Sequence, residues 1–459
     1  MSDPAAPPLS ETTLGLLRST MRGPVVGAQD EGWDVSRRAW HSAIDQQPLA
    51  VAHVADVADV EAAVRFAAEH GLALAAQPRG HGATQHLDGA LLVRTRDLDE
   101  ISVDAAARTA RVGAGVAWQE LAEALDGTGL VALSGSNASV TVVGLVLGGG
   151  LSWFGRPFGT PASSLIAVDL VDATGAARHV TAESDPDLLW ALRGGGGDFG
   201  IVTAVEIALH PAPQLYGGRL SFLAEHAPQV LPAWAEMTRT APPGLSSWML
   251  LMHLPDLPQI PEALRGRSFV NVDLVFVGPP DEAEALLTPV RAAAPAARDT
   301  VRALREPEVL GVAEEPVEPG PPMRAVAHPF DELTEEVLDH LLSTAGVGSG
   351  TPLVGVQVRH LGGAQADADP AAGPGTQIRP GFALSAMAPV FDPEAAAVVD
   401  EALAALVAPV PRSEHGLGLT FLQAGQPIED AYGPEAVSRL RAVKRAVDPA
   451  GLFRSNHPV

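Results

Sequence analysis

The chain of 459 residues carries 55 acidic against 30 basic side chains, a formal net charge of -25 at pH 7. Such a balance argues against partners held by bulk positive charge, so neither nucleic acid nor an acidic membrane surface is expected. There is no cysteine, which excludes disulfides, thiolate metal sites and cysteine nucleophiles. The length and a hydrophobic share of 46% suit two or three ordinary globular domains. No basic region followed by an apolar core opens the chain. The most apolar stretch, Val131 to Leu151, is interrupted by serine and glycine, unlike a membrane span. The expected location is the cytoplasm.

Residues 1–20 begin proline-rich and continue as a short amphipathic helix, and Trp33 to Trp40 is irregular. Leu49 to Val54 reads as a strand. Asp56 to His70 reads as a helix, with Val57, Val60, Val64, Phe66 and Ala67 on one face and Gly71 as its C-terminal stop. Leu72 to Ala76 leads into Gln77-Pro78-Arg79-Gly80-His81-Gly82-Ala83-Thr84, and the apolar run Ala90 to Val93 follows. This pattern is a tight turn between two short buried strands. Gly80 and Gly82 remove Cβ on both sides of His81 and allow close approach of the backbone. Consecutive amides in such a turn can cradle phosphate oxygens beside Arg79. The octapeptide alone equally describes a glycine-rich turn with a surface histidine.

The segments 101–104 and 109–115 form a predicted hairpin, and Trp118 to Leu125 a helix. A second glycine- and serine-rich segment spans 134–150. Leu165 to Asp172 and Ala177 to Val180 are predicted strands, Asp185 to Leu192 a short helix. A third glycine loop, Arg193 to Gly200, feeds the strand Ile201 to Leu209. Near His210 the texture changes to long proline-punctuated segments. Strands are predicted at 218–223, 247–253, 269–277, 354–361 and 383–390, helices at 225–239, 281–294, 330–343 and 393–407, and loops at 312–322 and 364–376. Pro434 to Val447 is a helix and 451–458 an extended tail. The fold class is α+β: two domains, the second an antiparallel sheet with helices grouped beside it. Residues 1–210 and the returning segment 429–459 form the first domain, and 211–428 the second.

Three glycine loops attached to strands describe a long diphosphate cofactor threaded between two subdomains. The motifs Pro78 to Ala83, Ser134 to Gly150, Asp187 to Thr203 and Arg439 to Pro449, with Phe453, Arg454, Asn456 and His457, occur in the order found in one family. The chain resembles the flavoproteins of the vanillyl-alcohol oxidase and p-cresol methylhydroxylase type, in the branch of berberine bridge enzyme and its bacterial relatives. The match is close over 30–210 and 430–459; between them it rests mainly on Arg359 to Ala364. The resemblance implies FAD and the p-cresol methylhydroxylase-type fold. Gln77, Pro78, Arg79, Gly80, His81, Gly82 and Ala83 would wrap the pyrophosphate. Ser134, Gly135, Ser136, Asn137, Ser139, Val140, Val143, Gly144, Gly148 and Gly149 would line the isoalloxazine and ribityl chain. Ile201 and Val202 would sit on the adenine side, with Tyr432 and Asn456 near the cofactor. In the family a histidine of the first loop is bonded to the flavin 8α-methyl, and His81 falls there; the other reading of His81 is simple packing against noncovalent FAD. A second bond, from cysteine to flavin C6 in many relatives, falls at Asn137, so only the His81 bond is expected. Val140 falls where relatives admit dioxygen, or else packs in the core.

Flavin oxidation of a substrate usually needs a base beside N5. The tyrosine that sugar- and polyketide-oxidising relatives use is replaced here by Gly418, and the segment Arg379 to Met387 has no counterpart of the glutamate of alkaloid-oxidising relatives. The catalytic candidates are His360, His415 and Tyr432. Alternation puts Val354, Val356, Val358 and His360 on one face of a strand and Gln357 with Arg359 on the other, where they would bind substrate. A satisfied sheet histidine, a solvated turn and a flavin support are the respective alternatives. No Gly-x-Ser-x-Gly elbow, no His-Glu-x-x-His metal spacing and no βαβ glycine fingerprint is present, so no metal is expected. The expected function is an FAD-dependent oxidase taking hydride from a C–H bond of a small, secondary-metabolite substrate, with reoxidation by dioxygen, in a monomer or homodimer. The alternative is a non-redox cyclase of natural-product biosynthesis that retains the flavin as scaffold.

Overall fold

Strands β1 (Val25–Gly27), β2 (Ala50–His53), β3 (Ala73–Ala76) and β4 (Ala90–Arg94) make a first sheet in the order β1-β2-β4-β3, with β2, β4 and β3 parallel. This is the first of three sheets of more than two strands among the described residues of the computed structural model of the protein, which describes residues 9–256, 258, 260 and 262–459. The proline-rich residues 1–8 lie outside that set. Parallel strands need a crossover, and the helix Val57–His70 provides it between β2 and β3, burying Val60, Val64 and Ala67 with Leu74 and Val93. Asp56 caps it by accepting the Asp59 amide, and Gly71 ends it at φ 63.

The second sheet is antiparallel. Its strands are β5 (Ile101–Asp104), β6 (Thr109–Gly113), β8 (Leu165–Val171), β9 (Ala177–Val180) and β10 (Ile201–Ala208), in the order β5-β6-β10-β8-β9, while β7 (Leu130–Val131) pairs with β11 (His210–Pro211). Val112, Val168 and Val205 of the sheet share one core with Leu121, Val146, Leu189 and Leu440. Leu440 belongs to the helix Pro434–Val447, so the chain returns to this core after the third sheet.

That third sheet comprises β12 (Leu215–Leu223), β13 (Leu245–His253), β14 (Ser268–Val277), β15 (Arg298–Asp299), β16 (Arg302–Leu304), β17 (Met323–Phe330), β18 (Gly355–His360) and β19 (Phe382–Pro389). Its order is β15-β12-β14-β13-β18-β19-β17, with β16 also on β12 and every pairing antiparallel. Met249, Val272, Val356, Val358 and Leu384 point at Trp234, Leu287, Leu341 and Leu403 of four helices that cover one face. Residues of the other parity, among them Arg219, Asp273, Trp248 and Arg359, stand side by side across the strands on the opposite face.

The α+β class and most predicted elements are present, but short helices at Trp33–Arg37 and Ala364–Asp367 stand where irregular chain and a loop were predicted, and two larger differences have clear causes. Strand β17 is absent from the sequence reading because Pro329 argues against a strand interior; it lies at the end of the sheet order, where proline is tolerated. The helix predicted at 330–343 instead begins at Glu335, because Phe330 closes β17 and Thr334 caps the helix by accepting the Val337 amide. Among the described residues no helix is long and apolar enough to cross a membrane.

Candidate functional site

Between β3 and β4 the chain makes the turn that carries His81. Gly80 sits at φ 85, and a Cβ there would come within 2.9 Å of both the Ala39 Cβ and Gln77 Nε2, so only glycine fits. The carbonyls of Arg79 and Gly80 accept the amides of Trp40 (2.8 Å) and His41 (3.1 Å). The amides of Arg79, Gly80, His81, Gly82 and Ala83, by contrast, donate to no protein acceptor among the described residues. A Cβ on Gly82 would meet nothing within 4 Å, so this side of the turn is open. A run of free amides beside an arginine is an anion cradle, and it fits the pyrophosphate of FAD. The turn is braced from behind. Asn456 Oδ1 accepts the Thr84 amide (2.8 Å), the Gln46 Nε2 donates to the Thr84 carbonyl (2.7 Å), and Gln77 Nε2 donates to Gln46 Oε1 (2.8 Å). Arg94 Nη1 donates to the Gln77 carbonyl at 2.8 Å.

The His81 ring stacks on Trp40 with centroids 4.3 Å apart and planes at 17°. Its Nε2 lies 3.2 Å from Ser139 Oγ. Burial, helped by Arg79 and His41, pushes His81 down to about 4, so the imidazole is neutral near pH 7. Ser139 belongs to the second glycine segment, where Asn137 Oδ1 accepts both its amide and its hydroxyl. The first two loops therefore converge. Ser134 Oγ is buried without a partner among the described residues, and Gly135 is half-buried. Val140 packs partly against the core. Val143 is fully enclosed by that core, at the start of the helix Val142–Leu147, so its side chain turns away from the loops. Gly144, on the same helix, is exposed.

Other sequence-derived positions serve packing. A Cβ on Gly148 would meet Thr420 Oγ1 at 2.9 Å, and Gly149, at φ 92, faces Gly375 and the Tyr432 hydroxyl. That hydroxyl donates to the Gly194 carbonyl at 2.6 Å, and burial raises its pKa. Tyr432 thus ties the second and third glycine loops together, with its phenolic proton committed to the Gly194 carbonyl. Ile201 and Val202 open β10, both buried, the first in the core of the parallel sheet and the second in that of the antiparallel one.

The large sheet shows which way each side chain of β18 faces. His360 shares its side with Val356 and Val358, under the helices, and stacks on Phe382 at 5.4 Å. It borders an outward cleft of about 600 Å³ lined also by Thr238, Arg239, Asp331 and Glu335. Arg156 Nη1 donates to its Nε2 at 3.1 Å, and burial pushes it down to about 3. His360 therefore faces the helices, opposite Gln357 and Arg359, because a strand sends alternate side chains to opposite faces. His415 is exposed in the turn before Gly418, and its ring has no partner among the described residues.

Gln357 and Arg359 face the other way. Arg359 Nε donates to Gln357 Oε1 at 2.6 Å, and the guanidinium lies 4.0 Å over Trp248, which stacks on Trp153. Beside it, Asp273 and Arg219 form a buried two-pronged ion pair at 2.6 and 2.8 Å. A strap from Ala313 to Gly320 crosses from this face to the second glycine segment and to Trp40 and Ser42. Ala313 and Glu314 hold Arg219, Glu315 accepts the Ser136 hydroxyl (2.8 Å) and stands 3.7 Å from Arg359. The Pro316 carbonyl takes Asn137 Nδ2 (2.8 Å), the Val317 carbonyl Trp40 Nε1 (3.1 Å) and the Gly320 carbonyl Ser42 Oγ (2.8 Å). Trp40, Gln46, Arg94 and Glu315 escaped the sequence reading. The tryptophan lay in a stretch with no periodicity and the glutamate in a proline-rich loop. Among the described residues no three metal-ligating side chains gather.

Comparison with known proteins bears on the fold and the cofactor. A family model described as an FAD binding domain matches residues 48–181. The chain is 27% identical to (R)-6-hydroxynicotine oxidase of Paenarthrobacter nicotinovorans, across 100% of this chain and 99% of that protein. Among solved structures, 6-hydroxy-D-nicotine oxidase from Arthrobacter nicotinovorans superposes with a TM-score of 0.80 at 24% identity, covering 95% of this chain and 97% of that one. Berberine bridge enzyme from Eschscholzia californica gives 0.81 at 16% identity, covering 98% and 99%. The chain is an FAD-linked oxidase with the p-cresol methylhydroxylase-type fold, similar along its whole length to the berberine bridge enzyme-like flavoproteins.

Proposed function

We propose that the protein oxidises a small metabolite at a C–H bond next to nitrogen or oxygen, with dioxygen as the final acceptor and FAD attached through His81 alone. Segments 1–210 and 429–459 would carry the cofactor and 211–428 the substrate. The observation that carries this reading is the row of free amides at 79–83 closing on a neutral, stacked histidine. A neutral imidazole is the nucleophilic form, and the absence of cysteine leaves no second attachment. FAD, when bound, supplies the acceptor for two electrons. Everything else falls to the chain. Arg359 and Gln357 are placed to hold an oxygen or ring nitrogen of the substrate. Glu315, between Ser136 and Arg359, takes the proton in place of the expected histidines. Trp153, Trp248 and Phe421 keep that side apolar and exclude water. The full-length relative is named for oxidising 6-hydroxynicotine, which favours hydroxylated cyclic amines over sugars as first candidates.

The test is anaerobic mixing with a panel of such amines, phenols and oligosaccharides. The expected result is bleaching of the oxidised flavin band by an amine, then hydrogen peroxide equal to product when air is admitted. Product accumulating without oxygen over an unbleached band would overturn the oxidase chemistry in favour of the non-redox cyclase. Bleaching by the oligosaccharides alone would overturn the substrate class.

A further inference from the structure

We infer that Ser139 and Asn137 are positioning residues that choose which nitrogen of His81 bonds to the flavin, with Trp40 holding the ring plane. The inference rests on the attachment proposed above and goes beyond it. Asn137 is pinned first: its Nδ2 donates to the Pro316 carbonyl at 2.8 Å, which turns Oδ1 inward. That Oδ1 accepts the Ser139 amide at 2.9 Å and the Ser139 hydroxyl at 2.7 Å. A serine hydroxyl has one hydrogen, and here it is committed to Asn137. Toward His81 Nε2, 3.2 Å away, Ser139 can only accept. The imidazole must therefore donate from Nε2. A neutral imidazole carries a single N–H, so the lone pair sits on Nδ1, which has no protein partner among the described residues.

Trp40 fixes the remaining freedom, rotation of the ring about its own bond. It stacks at 4.3 Å and is itself tied by its indole N–H to the Val317 carbonyl (3.1 Å) and by its amide to the Arg79 carbonyl (2.8 Å). Attachment then forms the bond from Nδ1 to the 8α carbon. One hydrogen of the methyl group leaves as a proton, and the Nε2 proton leaves on the Ser139 side. The two electrons released pass to the flavin and on to dioxygen, which takes both protons to give hydrogen peroxide. Asn137 thus occupies a position of the glycine segment with a steering role and no bond of its own.

Protein purified as expressed is precipitated with acid, and the flavin remaining in the pellet is measured at early and late harvest. The flavinyl peptide from the pellet is isolated, and NMR assigns the substituted nitrogen. Wild type is expected to hold its flavin through Nδ1. Ser139→Ala and Asn137→Ala are expected to bind FAD but attach it roughly three- to tenfold more slowly, the scale of one lost hydrogen bond, and to yield some Nε2 product. Ser139→Thr keeps the hydroxyl and is expected to behave as wild type. Substitution through Nε2 in wild type overturns the inference, a result that stands even if the alanine variants fold poorly. Unchanged attachment at Nδ1 in Ser139→Ala also overturns it while leaving the His81 bond intact. Wild-type protein that releases all its flavin overturns the bond itself, and the steering with it.

Discussion

Among the described residues Glu315 holds only the Ser136 hydroxyl at short range, whereas two other carboxylates on its side of the sheet, Asp273 and Glu314, are bound up with Arg219. A carboxylate with spare accepting capacity beside the cofactor segment is what proton removal requires. Glu315→Gln is expected to slow anaerobic bleaching by roughly a hundredfold or more, the usual scale for a lost general base. Flavin content should be unchanged. A Gln variant that bleaches at the wild-type rate at every pH removes Glu315 from the chemistry. The contrast with His360 shows how far residues could be read without coordinates. Alternation along β18 split His360 from Arg359, but nothing in one strand says which face the helices cover. That depends on Val356 and Val358 meeting Trp234 and Leu341, which are far away in sequence.

Among the elements, the glycine loops were legible because their chemistry is local: a turn at positive φ and a backbone that must approach a neighbour need glycine whatever the rest of the chain does. The strap 313–320 was not, since its backbone bonds go to Trp40, Ser42 and Asn137 and leave no periodic signal. The short helix Glu306–Val309 carries a further hidden feature. Glu306 is buried with one carboxylate oxygen unpartnered among the described residues, and burial, with Asp126 adding, raises it from 4.5 to about 8. The folded state therefore holds a proton that the unfolded chain releases above its lower pKa. That stabilisation is complete below 4.5 and is lost as pH rises to about 8. Glu306→Gln should flatten the fall in Tm across that window; an unchanged fall would mean that Glu306 is ionised in the folded protein.

At the scale of the molecule, two distant parts of the chain build one cradle. The order of motifs along the sequence implied this return, and the contact that makes it is Asn456 on Thr84, Gln46 and Gln77. Asn456→Ala removes the acceptor for the Thr84 amide, so the turn at 79–83 loses its brace. The variant is expected to purify with a lower ratio of flavin to protein absorbance and a lower Tm; a ratio equal to wild type would show that the turn holds its shape unaided.

This closure has a consequence in time as well as in space. A ribosome delivers the amides of the first loop well before Asn456, with the whole of the large sheet between them. Until the residue that locks the turn has left the exit tunnel, the nascent protein has no finished grip on its cofactor. A fully braced grip on the cofactor is therefore expected only after the eight-stranded sheet that follows the first loop has been made.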